Sequence, residues 1–210
     1  MNSENLKDLF ENLKGGTVLA FYRSGFIGSI IPFFTREKKG ERVPHHVATA
    51  YQVKKEDSAT MSVCSFKLSE QGFHGGKYRT IEIIKYDGIY YTTDEYFLKQ
   101  DFVKMGFTDL TPEQEKLGIQ DAIRQVGKKY GYSRFILTAE IFEKILPKSF
   151  QRKIFAKLNK KQCERLCSSH VVFNLNSTGK YNIPTDQAYS PNEVMKLKNV
   201  FTNVWVFDKN

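Results

Sequence analysis

Three cysteines and four histidines are the residues of this 210-residue chain best suited to act as nucleophile, base or metal ligand. The most informative of them is Cys167, in the segment RLCSSHVV at residues 165–172. Apolar spacing predicts a helix over Leu166 to Leu175, with Cys167 in its first turn. The backbone N–H groups and the positive end of the helix dipole there stabilise a thiolate and lower the pKa of a cysteine. Cys167 is therefore a candidate nucleophile, although a cysteine in such a helix is more commonly a small buried apolar residue.

A candidate base lies at the start of a predicted strand, in the segment PHHVATAY at residues 44–51. Alternation puts His46, Ala48 and Ala50 on one face, where small side chains beside the imidazole would let a helix pack closely. A helix-borne thiol and a strand-borne imidazole would then meet. The competing interpretation is that either histidine is merely a surface residue at the start of a strand.

The order of five short motifs resembles the circularly permuted NlpC-type papain-like cysteine hydrolases, relatives of the lecithin retinol acyltransferase group. In that family the histidine strand precedes the cysteine helix. The matching segments are residues 16–19 (GTVL), 46–51 (HVATAY), 127–132 (GKKYGY), 166–171 (LCSSHV) and 190–194 (SPNEV). The resemblance covers most of the chain. It implies an α+β, papain-like fold in which a small antiparallel sheet packs against the cysteine-bearing helix, with extra helices inserted.

The resemblance also implies roles for individual residues. Cys167 would be the nucleophile and His46 the general base, in preference to His45, because His46 directly precedes the Val-Ala pair of the motif. Substrate-binding roles would fall to Tyr22, Tyr130 and Ser168. The chain departs from the family pattern at three positions, where Thr17 and Gly131 replace Asp and Ser169 replaces Glu.

The third polar residue of such a site, which orients the imidazole, is often a Glu on the strand paired with the histidine strand. Folding residues 43–53 onto 60–67 about the turn KKEDSA places residues 65–67 opposite His46. Ser65 is the nearest candidate orienting residue, because Glu70 and Glu82 would need another register. The site thus lacks an obvious carboxylate.

Two functions follow from the resemblance. The first is a thiol hydrolase or acyltransferase that cleaves an amide or ester through an acyl-cysteine intermediate, on peptides, peptidoglycan stems or lipid acyl groups, without a cofactor. The second is a catalytically inactive papain-like fold that serves as a binding or structural protein, for example in a virion, through its basic surface. In the second case Cys167 would be buried and inert.

A zinc site is a further interpretation, because Cys163, Cys167 and His170 form a C-x₃-C-x₂-H cluster. The fourth ligand would have to come from Cys64, His74 or the pair His45 and His46. The cysteine spacing is atypical of structural zinc, and buried packing explains the cluster equally well. We therefore expect no metal.

Composition supports a folded protein with a basic surface. Hydrophobic residues make up 40% of the chain and the formal net charge is +9. The segment 148–161 predicts a basic amphipathic helix that would suit an anionic surface, while no nucleic-acid-binding motif is present. Three cysteines are too few for a disulfide framework, and neither a signal peptide nor an 18-residue apolar run is present. These features predict a cytoplasmic protein, or a virion-associated one if the chain is phage-encoded.

The chain reads as one domain over residues 1–210, with a helical insertion at 94–165. Strands are predicted at 17–22, 43–53, 60–67, 78–85, 89–92 and 200–207. A helix near Leu6 to Leu13 ends at two glycines, and capping boxes at Thr111 and Ser190 open two others. Further helices are predicted at 135–146, 151–158 and 166–175, whereas residues 94–110 have no clear pattern.

Overall fold

The computed structural model describes residues 3–12, 15–22, 42–50, 58–65, 77–86, 89–91, 102–127, 165–187 and 189–208. These residues form helices and antiparallel strands, so the predicted α+β class is confirmed. The helices are α1 (Ser3–Asn12), α2 (Pro112–Gln125), α3 (Cys167–Ser177) and α4 (Pro191–Met195). The strands are β1 (Thr17–Tyr22), β2 (His46–Ala50), β3 (Ser58–Ser65), β4 (Lys77–Tyr86), β5 (Ile89–Tyr91), β6 (Phe102–Phe107) and β7 (Asn203–Asp208).

The strands form a seven-stranded sheet in the order β5-β4-β3-β2-β1-β6-β7. Every neighbouring pair is antiparallel, and the predicted hairpins joining β2 to β3 and β4 to β5 are both present. β1 lies between β2 and β6, where Phe21 pairs with His46 on one side and with Val103 on the other. α1 contacts both outermost strands, β5 and β7. The two edges of the sheet therefore curve toward the same helix.

Both predicted capping boxes are formed. The Thr111 hydroxyl accepts from the Gln114 N–H at 3.4 Å, and the Gln114 side chain accepts from the Thr111 N–H at 3.0 Å. Ser190 and Glu193 make the same reciprocal pair at 3.2 and 2.6 Å. Each box satisfies two N–H groups that the helix itself leaves without a carbonyl, which fixes where α2 and α4 begin.

The prediction of a helical insertion over residues 94–165 is wrong near its start. Residues 102–107 form β6, which pairs with both β1 and β7 and belongs to the main sheet. At Gly106, a Cβ atom would lie only 2.6 Å from the Phe201 ring, so a glycine is required for that ring to pack against the strand. The helices predicted at 135–146 and 151–158, and the basic segment 148–161, lie outside the described residues.

The centre of the sheet is covered on both faces, since all six residues of β1 are buried. We call the face that carries Val18, Ala20 and Val47 the cysteine face, because these residues share a core with α3 and α4. We call the other face the histidine face, after His46 and its partner Phe21. The histidine face also carries the fully buried Leu19 and Met105, which pair with each other. The central strands are thus a layer between two cores.

Candidate functional site

Cys167 is the first residue of α3, as the sequence predicts. Leu166 is the N-cap residue, with φ −78° and ψ 164°, and its side chain has no acceptor to offer. The first bond within the helix runs from the His170 N–H to the Leu166 carbonyl, at 2.7 Å. A helix supplies no carbonyl partner to the N–H groups before that point. The first turn of α3 is therefore suited to holding a negative charge on a thiolate or on a developing oxyanion.

Ser169 bonds to Leu166, the residue that caps α3. Its hydroxyl oxygen accepts from the Leu166 N–H at 2.8 Å and donates to the Leu166 carbonyl at 3.1 Å. This is the side-chain half of a capping box, made by a shorter residue than the usual Glu or Gln. The contact defines the start of α3 directly before Cys167.

The thiol lies at the boundary of the core. Cys167 is a reduced thiol with 5% of its surface exposed, and Ser168 beside it is 3% exposed. Cys167 belongs to the core of the cysteine face together with Val47 and Tyr22. Of the predicted substrate-binding residues, Tyr22 and Ser168 are therefore buried close to the cysteine helix, whereas Tyr130 lies outside the described residues. Their binding roles stay predictions.

The direction of α3 follows from contacts at its far end. Beyond the helix, the Lys180 ammonium pairs with the Asp109 carboxylate at 3.3 Å, just past the end of β6. The Tyr181 hydroxyl donates to the Val200 carbonyl at 3.2 Å, and the next residue, Phe201, covers Gly106. The C-terminus of α3 therefore lies at the end of the sheet where β6 finishes and β1 begins.

The N-terminus of α3 must then lie toward the opposite end of the sheet. Eleven helical residues span about 16 Å, close to the roughly 20 Å of a six-residue strand such as β1. At that opposite end β1 finishes at Tyr22 and β2 starts at His46. Because α3 contacts β2, this direction sets Cys167 toward the end of the sheet that holds His45 and His46.

The face on which His46 lies differs from the prediction. His46 is completely buried, and its ring stacks on Phe21 with centroids 5.7 Å apart. It occupies the histidine face, while Val47 occupies the cysteine face and shares its core with Cys167. The expectation that His46, Ala48 and Ala50 would meet the cysteine helix is wrong. The physical reason is that α3 covers the apolar side chains of Val47 and of its partner Ala20 in β1.

His45 lies at a bend directly before β2, is 4% exposed, and donates its backbone N–H to the Phe21 carbonyl at 3.1 Å. Since strand alternation does not extend through a bend, this backbone position assigns the His45 ring to neither face of the sheet. The resemblance ranked His45 below His46 because His46 directly precedes the Val-Ala pair of the motif.

β2 and β3 pair through Thr49 with Ser62 and Ala50 with Met61. The pairs described for these two strands stop short of positions 46 and 65. Glu82 pairs with Thr60, and Glu70 lies outside the described residues. The role of Ser65 in orienting an imidazole stays a prediction.

A buried polar network next to Cys167 was not expected from the sequence. Arg165, two residues before the cysteine, makes two bonds to the Asp121 carboxylate of α2, at 2.7 and 3.1 Å. The side chains are only 7% and 13% exposed. Asn174 of α3 donates to the same carboxylate at 3.2 Å and to the Gly118 carbonyl at 2.9 Å. Since these partners lie far apart in sequence, no local motif indicates the network.

The charge states of Asp121 and His170 follow from their burial and from the charged groups beside them. Burial raises the pKa of Asp121. The hydrogen bonds and positive charge of Arg165, together with the amide of Asn174, lower it by more than burial raises it, so the pKa of Asp121 is below its ordinary value. His170 is 1% exposed, and burial and the Arg165 charge lower its pKa to about 4, against a smaller opposing effect of Asp121. Asp121 is thus a carboxylate, and His170 a neutral imidazole, at pH 7.

Metal ligation is not indicated within the part of the chain that the structure describes. No group of three or more histidine, cysteine, aspartate or glutamate side chains is placed there to hold an ion. Of the residues in the zinc interpretation, Cys163 and His74 lie outside that part, and the side chain of Cys64 is not described.

Comparison of the chain with protein-family models, with curated proteins and with solved structures found no match. None of the helices in the described ranges is both long enough and apolar enough to cross a membrane.

Proposed function

We propose that the chain is a thiol hydrolase or acyltransferase of the circularly permuted NlpC type, with Cys167 as nucleophile. The Cys167 thiolate attacks the carbonyl carbon of an amide or ester and forms a tetrahedral oxyanion. That oxyanion collapses to an acyl-cysteine as the leaving amine or alcohol takes a proton from the imidazolium. Water, or an acceptor alcohol or amine, then gives up a proton to the imidazole and attacks the acyl carbon, which restores the thiol.

The observation that carries this proposal is the position of Cys167 at the first turn of α3. Cys167 is the first residue of α3, toward the end of the sheet that also holds His45 and His46. One element therefore supplies both a stabilised thiolate and donors for the oxyanion, while a second supplies the imidazole. The resemblance in motif order adds the substrate class, which is peptides, peptidoglycan stems or lipid acyl groups.

His45 is our choice for the base, because it directly precedes β2, whereas the ring of His46 stacks on Phe21 on the face opposite α3. His46 has a supporting role in this scheme, because its buried ring fixes the start of β2 and hence the position of its neighbour. The two assignments differ in one measurable way. Replacing the base removes the selective reactivity of Cys167, whereas replacing the supporting histidine leaves it, and both variants lose stability because both side chains are buried.

The test is chemical labelling with iodoacetamide at pH 7, followed by mass-spectrometric mapping of all three cysteines. We expect Cys167 to react well before Cys64 and Cys163, and His45→Ala to remove that preference. His170→Gln is the matched control, because His170 lies one turn along α3 and is neutral at this pH. Loss of the preference in His46→Ala, with His45→Ala unaffected, would restore His46 as the base.

A second measurement tests the covalent step directly. Incubation with an activated ester should add one acyl group to the protein, on Cys167, and Cys167→Ser should add none at that position. Hydroxylamine should release the group as expected of a thioester. An acyl group spread over lysines, with Cys167 unmodified, would argue against an acyl-cysteine intermediate.

One observation favours the inactive, binding-protein alternative. Cys167 is only 5% exposed and His46 is enclosed in a core, as in a fold whose cysteine has become a packing residue. Negligible labelling of Cys167 in the folded protein, together with rapid labelling after denaturation, would support that alternative. The basic surface predicted at residues 148–161 would then be the first region to test for binding to anionic partners.

A further inference from the structure

Asp121 connects two parts of the polypeptide that flank the candidate nucleophile. Its carboxylate receives both arms of the Arg165 guanidinium, which belongs to the segment leading into α3. It also receives the Asn174 amide, which lies two turns into α3. One carboxylate of α2 therefore holds the chain before and after Cys167, so that the first turn of α3 has a fixed position relative to α2.

The Arg165 guanidinium also contacts a side chain of α3 itself. Its central carbon lies 4.7 Å from the centroid of the Phe173 ring, so Arg165 is sandwiched between an aromatic face and a carboxylate. Asn174 donates its second amide hydrogen to the Gly118 carbonyl, which ties the same turn of α3 to α2 again. A fork-shaped guanidinium with this set of partners has one orientation, and a lysine would not reproduce it.

The charges near Cys167 come from several elements. Arg165 and His170 belong to its own segment, Asp121 to α2 and Glu193 to α4, and both of these helices contact α3. Tyr22 and Tyr189 share the core that contains Cys167, and His45 directly precedes β2, which α3 also contacts. Of these groups, Arg165 is the closest to Cys167 in sequence, and Asp121 bonds to Arg165. A lone guanidinium there would favour the thiolate, and a lone carboxylate would disfavour it.

We propose that Asp121 is a positioning residue for Cys167, which fixes the Arg165 guanidinium two residues before the cysteine and offsets its charge. This inference rests on the proposed function for its catalytic meaning. Its physical content is independent of that function: the ionisation of Cys167 responds to the two members of the pair with opposite signs.

The test is a pH titration of Cys167 in folded protein labelled with ¹³C at cysteine Cβ, with the signal assigned by Cys167→Ser. We expect Asp121→Asn to lower the titration midpoint by about half a pH unit and Arg165→Gln to raise it by a similar amount. A shift of this size corresponds to about 0.7 kcal/mol, as expected of a screened charge that makes no direct contact with the thiol. The double variant should return to within about 0.2 units of the wild type.

Two further variants separate positioning from general stability. Arg165→Lys keeps the charge and loses the fork, so its midpoint should stay near that of the wild type while its first turn is less well held. Lys180→Ala removes a charge at the other end of α3 and should leave the midpoint unchanged. If Asp121→Asn does not fold, the contrast between Arg165→Gln and Arg165→Lys decides the question.

Shifts of the same sign in both single variants, or lowered melting temperatures with unchanged midpoints, would overturn the proposal and leave the pair a structural element only. The proposed function is judged separately, by iodoacetamide selectivity. Opposite midpoint shifts in a protein whose Cys167 shows no selective labelling would reject the enzyme while keeping the coupling. Selective labelling of Cys167 without the midpoint shifts would keep the proposed enzyme function and reject the coupling to Arg165 and Asp121.

Discussion

The two ends of α3 are both held by an ion pair, and the two pairs lie in opposite environments. At the N-terminal end, Arg165 and Asp121 are 7% and 13% exposed and make two short bonds. At the C-terminal end, Lys180 and Asp109 are 31% and 81% exposed and their charged atoms lie 3.3 Å apart. The Lys180 ammonium also donates to the Asp109 backbone carbonyl.

The difference between the ends shows how burial changes what an ion pair does. In water, an exposed pair gains little because both charges are already solvated and free to move. A buried pair has lost that solvation, so each charge depends on the other and the geometry becomes specific. The end of α3 that carries Cys167 is thus held by a buried ion pair, while the other end is held by uncharged contacts, among them two hydrogen bonds between the Asn176 side chain and the Ile183 backbone at 2.7 and 2.8 Å.

The largest effect is expected from breaking the buried pair. Asp121→Asn leaves the Arg165 charge buried beside a neutral amide, which should lower the free energy of unfolding by about 3–5 kcal/mol. Urea denaturation followed by circular dichroism measures this loss. Asp109→Asn is the matched control at the exposed end, and an equal loss in both variants would contradict the contrast between the two ends.

A smaller effect, which depends on pH, is expected from His170 at the buried end. The folded-state pKa of about 4 lies below the ordinary value near 6.5, so the unfolded chain binds the proton more readily. Stability from this group is complete above pH 6.5 and falls as the pH drops toward 4, by about 3 kcal/mol in total. His170→Gln should remove this part of the acid sensitivity. Parallel stability curves for wild type and variant between pH 7 and 4 would show the prediction to be wrong.

The smallest effect is expected at the exposed end. Lys180→Ala should change the free energy of unfolding by less than about 0.5 kcal/mol, because solvent screens the pair with Asp109. Thermal unfolding at low and high salt measures this, and the small difference should shrink further as salt is added. If Lys180→Ala lowered the free energy of unfolding as much as Asp121→Asn does, solvent exposure would not explain the difference in strength between the two ion pairs.

Elements with local signals could be predicted from the sequence. β1 was predicted with its observed bounds, since Gly15 and Gly16 precede a short apolar run with the composition of a strand. α2 and α4 were predicted at their starts because Thr111 and Ser190 carry capping boxes, whose partners lie three residues away. The helix predicted over Leu166 to Leu175 is α3, with Cys167 in its first turn, and its observed start is one residue later, at Cys167.

Features that depend on distant partners could not be predicted. β6 has Lys104 and Gly106 in its interior, which weakens any strand pattern, and Gly106 is explained only by Phe201. For His46, period-two alternation predicts which residues share a face but not which face a later helix covers. The pairing of Arg165 with Asp121 joins positions 44 residues apart, and neither residue has a local signal for it.

The sheet order has a consequence for how the chain reaches this structure. β2 to β5 can pair as successive hairpins soon after they are synthesised. By contrast, β7, at residues 203–208, pairs with β6 from the middle of the chain. In the same way, α3 covers strands that were synthesised much earlier. The ribosome synthesises about 5–20 residues per second, so the apolar cysteine face is exposed for several seconds to tens of seconds before α3 has been synthesised. During that interval the hairpins present an uncovered apolar surface, which makes the nascent chain a natural client for chaperones.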